Sequence, residues 1–178
     1  DAFIGADFVV AQLEVPFEAI EQAFKIARKQ NITTVLNPAP AIELPKSLLE
    51  LTDIIIPNET EAELLTGISI NNESDMKETA TYFLDLGISA VLITLGEQGT
   101  YCAYQEQYKM IPACNVKAID TTAAGDTFIG AFLSELNKDL SNIESAIRLA
   151  NQASSLTVQR KGAQASIPTR KEVEAEYN

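Results

Sequence analysis

Four short apolar runs punctuate the chain as far as Thr94: Phe8–Leu13, Thr33–Asn37, Asp53–Pro57 and Ala90–Thr94. Runs of this length, rich in β-branched residues, read as buried strands. The segments between them carry a different period. Phe17, Ile20, Phe24 and Ala27 recur at helical spacing, which predicts a helix from about Pro16 to Gln30. A short helix is expected over Pro45 to Leu51, and another from Glu59 to Thr66, stopped by Gly67. Ser74 reads as the cap of a helix that runs to Leu86 and is ended by Gly87. Strands that alternate with helices in this way fold as an α/β, doubly wound, Rossmann-like structure with a mostly parallel sheet.

The second half departs from that rhythm. Residues 100–104 and 107–111 read as a hairpin around Gln105. Asp120 to Gly125 is a loop, followed by a helix from about Ala124 to Asn137. Ser141 is the expected cap of a helix from Asn142 to about Gln159, and Thr169 caps a short exposed helix that ends at Tyr177. The 178 residues suit one domain, or most of one. The opening stretch, Asp1 to Asp7, lacks Met and reads like the middle of a domain, so a fragment or processed product of a longer chain is expected.

Charge and composition narrow the chemistry. A formal net charge of -12 repels phosphate backbones, so nucleic acid is not an expected partner, and anionic membranes are disfavoured. No apolar run reaches the length of a membrane span and no signal peptide is visible, which leaves the cytoplasm as the default compartment. The chain has no histidine, which excludes Ser-His-Asp and Cys-His catalysis and histidine-ligated zinc. A general base must then be a carboxylate, lysine, tyrosine or cysteine. Cys102 and Cys114 are too few and too isolated for a metal cluster, and read as reduced thiols.

In open α/β sheets ligands bind beyond the carboxyl ends of the strands. The polar residues there are Glu14, Asn37, Asn58 with Glu61, and Thr94 with Glu97. Each serves either a ligand or simply the solubility of a strand end. The most informative stretch is Ala118 to Gly130, where small residues at 123 to 125 lead straight into a helix. A backbone can approach a ligand closely there, and the first-turn amides and helix dipole suit a phosphate or a developing negative charge. Asp126 lies in that first turn. It either complements the helix dipole or accepts a proton from an attacking hydroxyl.

The stretch Asp120-Thr-Thr-Ala-Ala-Gly-Asp126 resembles the signature of the PfkB carbohydrate kinases, usually written D-T-x-G-A-G-D, with Ala123 where the first glycine of G-A-G-D commonly stands. Four further segments agree in order and spacing: Asn37–Pro40, Asn58–Glu61, Thr94–Gly99 and Arg160–Ser166. The resemblance covers essentially this whole chain but only the later part of the family's fold. The earlier part would carry the lid, much of the sugar pocket and the first strands of the sheet.

That resemblance implies ATP-dependent phosphorylation of a sugar, with D-ribose at O5 favoured by the Ala-Ala-Gly-Asp variant and by Lys161–Gln164. Another member activity, on fructose, adenosine, a nucleoside or a keto-deoxy sugar acid, is the nearest alternative, and a nucleotide-binding module without activity of its own is the alternative from another class. A Rossmann dehydrogenase is set aside, because no Gly-x-Gly-x-x-Gly is present. By the same resemblance Asp126 is the base, and the amides of Ala124, Gly125 and Asp126 form an anion hole. Glu14 touches the sugar. Asn58 and Glu61 help to hold Mg²⁺, Glu61 indirectly. Thr94, Gly96 and Gly99 belong to the nucleotide loop, and Asn151 lies near the adenine. K⁺ is bound by Asp120 and Thr122 together with oxygens of Thr157, Arg160, Gly162 and Ser166. A homodimer is expected only where the lid is present.

Overall fold

The computed structural model describes residues 3–177; Asp1 and Ala2, which begin the opening stretch, lie outside them. Among the described residues six strands and seven α-helices follow one another as β1 (Phe8–Ala11), α1 (Phe17–Lys29), β2 (Thr33–Leu36), α2 (Lys46–Leu49), β3 (Ile54–Ile55), α3 (Glu59–Thr66), α4 (Glu73–Asp85), β4 (Ala90–Thr94), β5 (Gly99–Tyr104), β6 (Gln107–Pro112), α5 (Ala124–Glu135), α6 (Ile143–Thr157) and α7 (Arg170–Tyr177). The strands form one sheet in the order β1-β2-β3-β4-β5-β6. β1 through β4 run parallel, in registers such as Phe8 opposite Thr33 and Ile55 opposite Val91. The expected α/β architecture is therefore present. The first three apolar runs overreach their strands by one to three residues, and the fourth coincides with β4.

The chain divides into two compact units: the stretch up to Leu95 with Tyr101–Met110, and Gly96–Thr100 with the residues from Ile111 onward. In the first, one core gathers Phe24 and Ile20 of α1, Leu36 of β2, Ile55 of β3, Phe83 of α4, and Val91 and Ile93 of β4. α1 reaches that core with Ile20, Phe24 and Ala27, the helical stripe read from the sequence. The Asn37–Pro40 segment leaves the sheet as expected, and its Ala39–Pro40 peptide is cis. At the tip of the β5–β6 hairpin, Gln105 and Glu106 both take positive φ, 49° and 61°, the geometry that a two-residue turn needs to match strand twist.

In the second unit, α5 and α6 pack along each other, and α7 lies against α6. Their buried residues include Phe128, Phe132, Ala146, Ile147, Ala150 and Val173. Phe128 and Phe132 stack with ring centroids 6.2 Å apart. Cys102 is buried, Cys114 is half-buried, and neither forms a disulfide.

Two expected caps are corrected. Asn72 rather than Ser74 starts α4, its side-chain oxygen accepting from the Asp75 amide at 3.2 Å, and Ser74 falls inside the first turn. Asn142 rather than Ser141 precedes α6, because Asp139 captures the Ser141 hydroxyl at 2.7 Å. Thr169 does cap α7, with Glu172 returning to its amide at 2.7 Å. No helix among the described residues is long and apolar enough to cross a membrane.

Candidate functional site

The loop before α5 is anchored to the far end of α6. The amides of Ile119 and Asp120 both donate to the Val158 carbonyl, at 2.7 and 3.1 Å. The Asp120 carboxylate then divides its oxygens. Oδ1 accepts from the Thr122 amide and Oδ2 from the Gly162 amide, each at 3.0 Å. The second of these bonds spans 42 residues. The Thr122 hydroxyl, followed by the Gly162 and Thr122 amides, holds the Asp120 carboxyl at about 2, so it stays ionised at neutral pH. Gly162 makes its turn at φ 97°.

Ala123 sits in the left-handed region, φ 62° and ψ 10°, and there the chain turns into α5. An alanine in that region carries strain of about 1–2 kcal/mol, which explains why glycine suits the position. The Ala124 amide donates to the Thr121 carbonyl at 3.2 Å and the Thr127 amide to the Ala123 carbonyl at 2.9 Å. Of the three amides expected to face an anion, Ala124's therefore already has an acceptor. Gly125 and Asp126 follow in the exposed first turn. Helix first-turn amides lack partners within the helix, and the dipole adds positive potential.

The residues expected around a cation are gathered here to different degrees. Asp120, Thr122 and Gly162 are joined directly. Thr157 is fully buried; its hydroxyl donates to Thr127 Oγ1 at 3.0 Å and to the Ala153 carbonyl at 3.3 Å. Its carbonyl accepts from the Arg160 amide at 3.0 Å. The Arg160 guanidinium pairs with Glu172 at 2.8 Å. Ser166 is buried, with its hydroxyl on the Ala163 carbonyl at 2.6 Å. The described residues contain no group of three or more carboxylates or thiolates suited to a metal ion. A cation at this loop would have one carboxylate and otherwise neutral oxygens, a donor set that fits a weakly hydrated monovalent ion better than a transition metal.

Gly96, Gly99 and Asn151 lie in the same unit. Gly99 has φ 113°, and a Cβ on it would stand 2.2 Å from the Ile111 carbonyl oxygen and 2.5 Å from the Ala113 nitrogen. Asn151 is buried, and its amide group is fully used inside the protein. It accepts from the Thr100 hydroxyl at 3.0 Å and donates to the carbonyls of Ile111 and Pro112 at 3.1 and 3.2 Å. It fastens the base of the hairpin to α6.

In the other unit, Asn58 and Glu61 build a capping box at the head of α3. The Glu61 amide donates to Asn58 Oδ1, while the Asn58 amide and side-chain nitrogen donate to Glu61 Oε2 and Oε1, all at 2.9 Å. Glu61 is buried, and that burial, opposed by the Asn58 amide, moves its carboxyl above the usual carboxylate range. Thr94 ends β4 with a bridge to Asn58, and its amide donates a hydrogen bond to the Pro57 carbonyl at 2.9 Å. Asn37 holds the Ile56 carbonyl at 2.8 Å and accepts from Gln12. Glu14 is exposed in the loop after β1.

Residues 3–170 match the pfkB family of carbohydrate kinases. The chain belongs to that family. Among the pfkB relatives, a ribokinase of Staphylococcus aureus is 65% identical over 97% of this chain and 57% of its own length. A deoxyribokinase of Salmonella typhi is 36% identical over 90% of the chain and 53% of its own. The structure of an Arabidopsis thaliana ribokinase, complexed with ribose and ATP, superimposes with a TM-score of 0.89 at 33% identity, covering 96% of this chain and 55% of that one. The chain thus spans just over half the length of the relatives it matches.

Thr100, Thr127 and Ser154 were not expected at the site, yet they hydrogen-bond Asn151, Thr157 and Ala124 respectively. Ser154 donates to the Ala124 carbonyl at 2.9 Å. The available signal was a cluster of hydroxyls, Ser154, Ser155 and Thr157, near the end of α6, of which Ser155 and Thr157 are buried and Ser154 is half-buried.

Proposed function

We propose that this chain is the C-terminal, nucleotide-binding part of a ribokinase-like domain whose full-length enzyme transfers the γ-phosphoryl group of ATP to O5 of D-ribose. The observation that carries the reading is the turn at Ala123. It starts α5 at Ala124, so that Gly125 and Asp126 fall in the exposed first turn of the helix. The relatedness to the S. aureus ribokinase supports the choice of sugar.

In this reading Asp126 accepts the proton of the attacking hydroxyl as the O5–P bond forms and the bond to the leaving ADP breaks. The α5 head amides, chiefly those of Gly125 and Asp126 with Ala124 closing the turn, stabilise the charge on the phosphoryl oxygens. Glu14 contacts the sugar. Thr94, Gly96 and Gly99 line the nucleotide, and Asn151 supports the adenine end by holding the hairpin base. Glu61, with both oxygens occupied by Asn58, would act on nucleotide-bound Mg²⁺ only through water. Bound Mg²⁺ neutralises phosphate charge. Asp120 and Thr122, with oxygens of Thr157, Arg160, Gly162 and Ser166, would hold K⁺, whose charge steadies the loop beside the anion hole. The enzyme is proposed to be cytoplasmic, and to pair through a lid in the remainder of the chain.

The Salmonella typhi relative keeps 2-deoxyribose as a second reading. A coupled ADP-release assay on the full-length protein, with ATP, Mg²⁺ and K⁺, separates these. Ribose-dependent release with weaker response to 2-deoxyribose, fructose and adenosine is expected. Release stimulated best by 2-deoxyribose would transfer the assignment to that sugar, and no release with any of them would overturn the kinase reading.

A further inference from the structure

The head of α5 is held from behind by a two-rung polar ladder. Ser154 and Thr157 stand three residues apart on α6, and so share one face of that helix. Their partners Ala124 and Thr127 are likewise three apart on α5. Ser154 Oγ donates to the Ala124 carbonyl at 2.9 Å, and Thr157 Oγ1 donates to Thr127 Oγ1 at 3.0 Å.

The first rung has a chemical consequence. The Ala124 carbonyl and the Gly125 amide belong to one planar, conjugated peptide group. A hydrogen bond donated to its oxygen draws density from its nitrogen, so the N–H becomes a stronger donor; estimates of such cooperative strengthening run to about 10–30% per bond. The same bond fixes the tilt of the peptide plane. Hydroxyls inside helices ordinarily fold back onto their own helix. Ser155 does so, onto the Gln152 carbonyl at 2.6 Å, and Thr157 in part, onto Ala153. Ser154 instead reaches across to α5. Ala124 is the first residue of α5, so its carbonyl is already an acceptor within that helix and does not need the serine for satisfaction. Ser154 is also only half-buried, which makes packing a poor explanation for its hydroxyl.

We infer that Ser154 is a positioning residue for phosphoryl transfer: its hydroxyl aims and polarises the Ala124–Gly125 peptide, so that the Gly125 N–H meets the charge that develops on the transferred group. This rests on the kinase reading given above. Loss of an entire oxyanion donor costs roughly 10²–10³ in turnover, so weakening one donor should cost roughly three- to tenfold.

The test uses the full-length protein with ATP, Mg²⁺, K⁺ and ribose. Ser154→Ala is expected to lower kcat by that three- to tenfold factor, with KM for ATP and ribose held near their wild-type values. Affinity for ADP with aluminium fluoride, which mimics the transferring group, falls by a similar factor, while affinity for ADP alone is unchanged. Ser154→Thr restores kcat, and Ser155→Ala, which alters the neighbouring hydroxyl, leaves it unaltered. Wild-type kcat in Ser154→Ala would overturn the inference, as would a loss shared equally by ADP and ADP–aluminium fluoride binding, or a loss that Ser154→Thr fails to repair. If the wild-type protein releases no ADP with ribose or the other sugars, the kinase reading itself fails and this inference with it. If Asp126→Asn is inactive while Ser154→Ala is normal, only the role of Ser154 is refuted.

Discussion

The Asn58–Glu61 corner and the Asp120–Gly162 loop are both closed by a carboxylate that accepts backbone amides, yet the two acids are driven in opposite directions. Glu61 is buried, and loss of hydration outweighs the Asn58 amide, so its carboxyl rises above the ordinary 4.5. Asp120 keeps more water and gathers the Thr122 hydroxyl and the Gly162 and Thr122 amides, so its carboxyl falls to about 2. The first corner closes on itself within three residues, and the second only across 42. A short-range box of this kind is a property of one helix end. The long-range tie makes one loop depend on another, which is how a distant segment can tune the head of α5.

Four experiments would break or sharpen that contrast. The largest effect is expected at Asp126: in the full-length protein, Asp126→Asn should lower turnover by about 10² or more, the usual scale for a general base, with ATP binding retained in a calorimeter. Near-normal turnover would remove the base assignment. Next comes Asp120→Asn, expected to weaken activation by K⁺ at least roughly tenfold, as a titration of rate against K⁺ would read. Its acid dependence has a definite sign. A depressed carboxyl contributes fully above its ordinary 3.8 and loses that contribution as pH falls toward 2. The Gly162 amide resonance should therefore shift between about pH 4 and 2 in the wild type and stay flat in Asp120→Asn. Glu61 carries the opposite sign, its raised carboxyl costing stability as pH rises through the window above 4.5.

Asn58→Ala removes the cap of α3 and should destabilise the protein by about 1 kcal/mol, seen as a lower denaturant midpoint with unchanged slope. The smallest effect is expected at Ala123→Gly. It relieves the left-handed strain but gives the unfolded chain more freedom, for a net gain of about 0.5–1 kcal/mol. A loss of stability there would mean that the Ala123 side chain has a packing role.

The sequence conveyed best what is local. The α1 stripe of Ile20, Phe24 and Ala27 and the Gly67 stop are set within a few residues and were readable from spacing; the Asn58–Glu61 capping box is equally local, but its residues were read only as strand-end and motif positions. It conveyed less where neighbours compete for one role. Asn72 and Ser74 are both good caps, and the helix starts at the earlier one, whose side chain accepts from the Asp75 amide. Ser141 gave way to Asn142 at the head of α6, with its hydroxyl taken by Asp139 two residues upstream. The site was readable mainly through motif resemblance, because its geometry is non-local. Nothing in the spacing of Asp120 and Gly162, or of Ser154 and Ala124, announces that they meet; α5 and α6 must first pack.

Gly99 carries a lesson for anyone who reads function from tolerance to substitution. Its α-hydrogen faces the Ile111–Ala113 backbone so closely that even one added methyl has nowhere to go. A library of variants screened for phosphorylation would therefore score this position as intolerant whether or not ATP ever touches it. Nucleotide contact at that loop is better judged at Gly96, where a side chain would meet open space and its φ of 54° is one that non-glycine residues occasionally adopt.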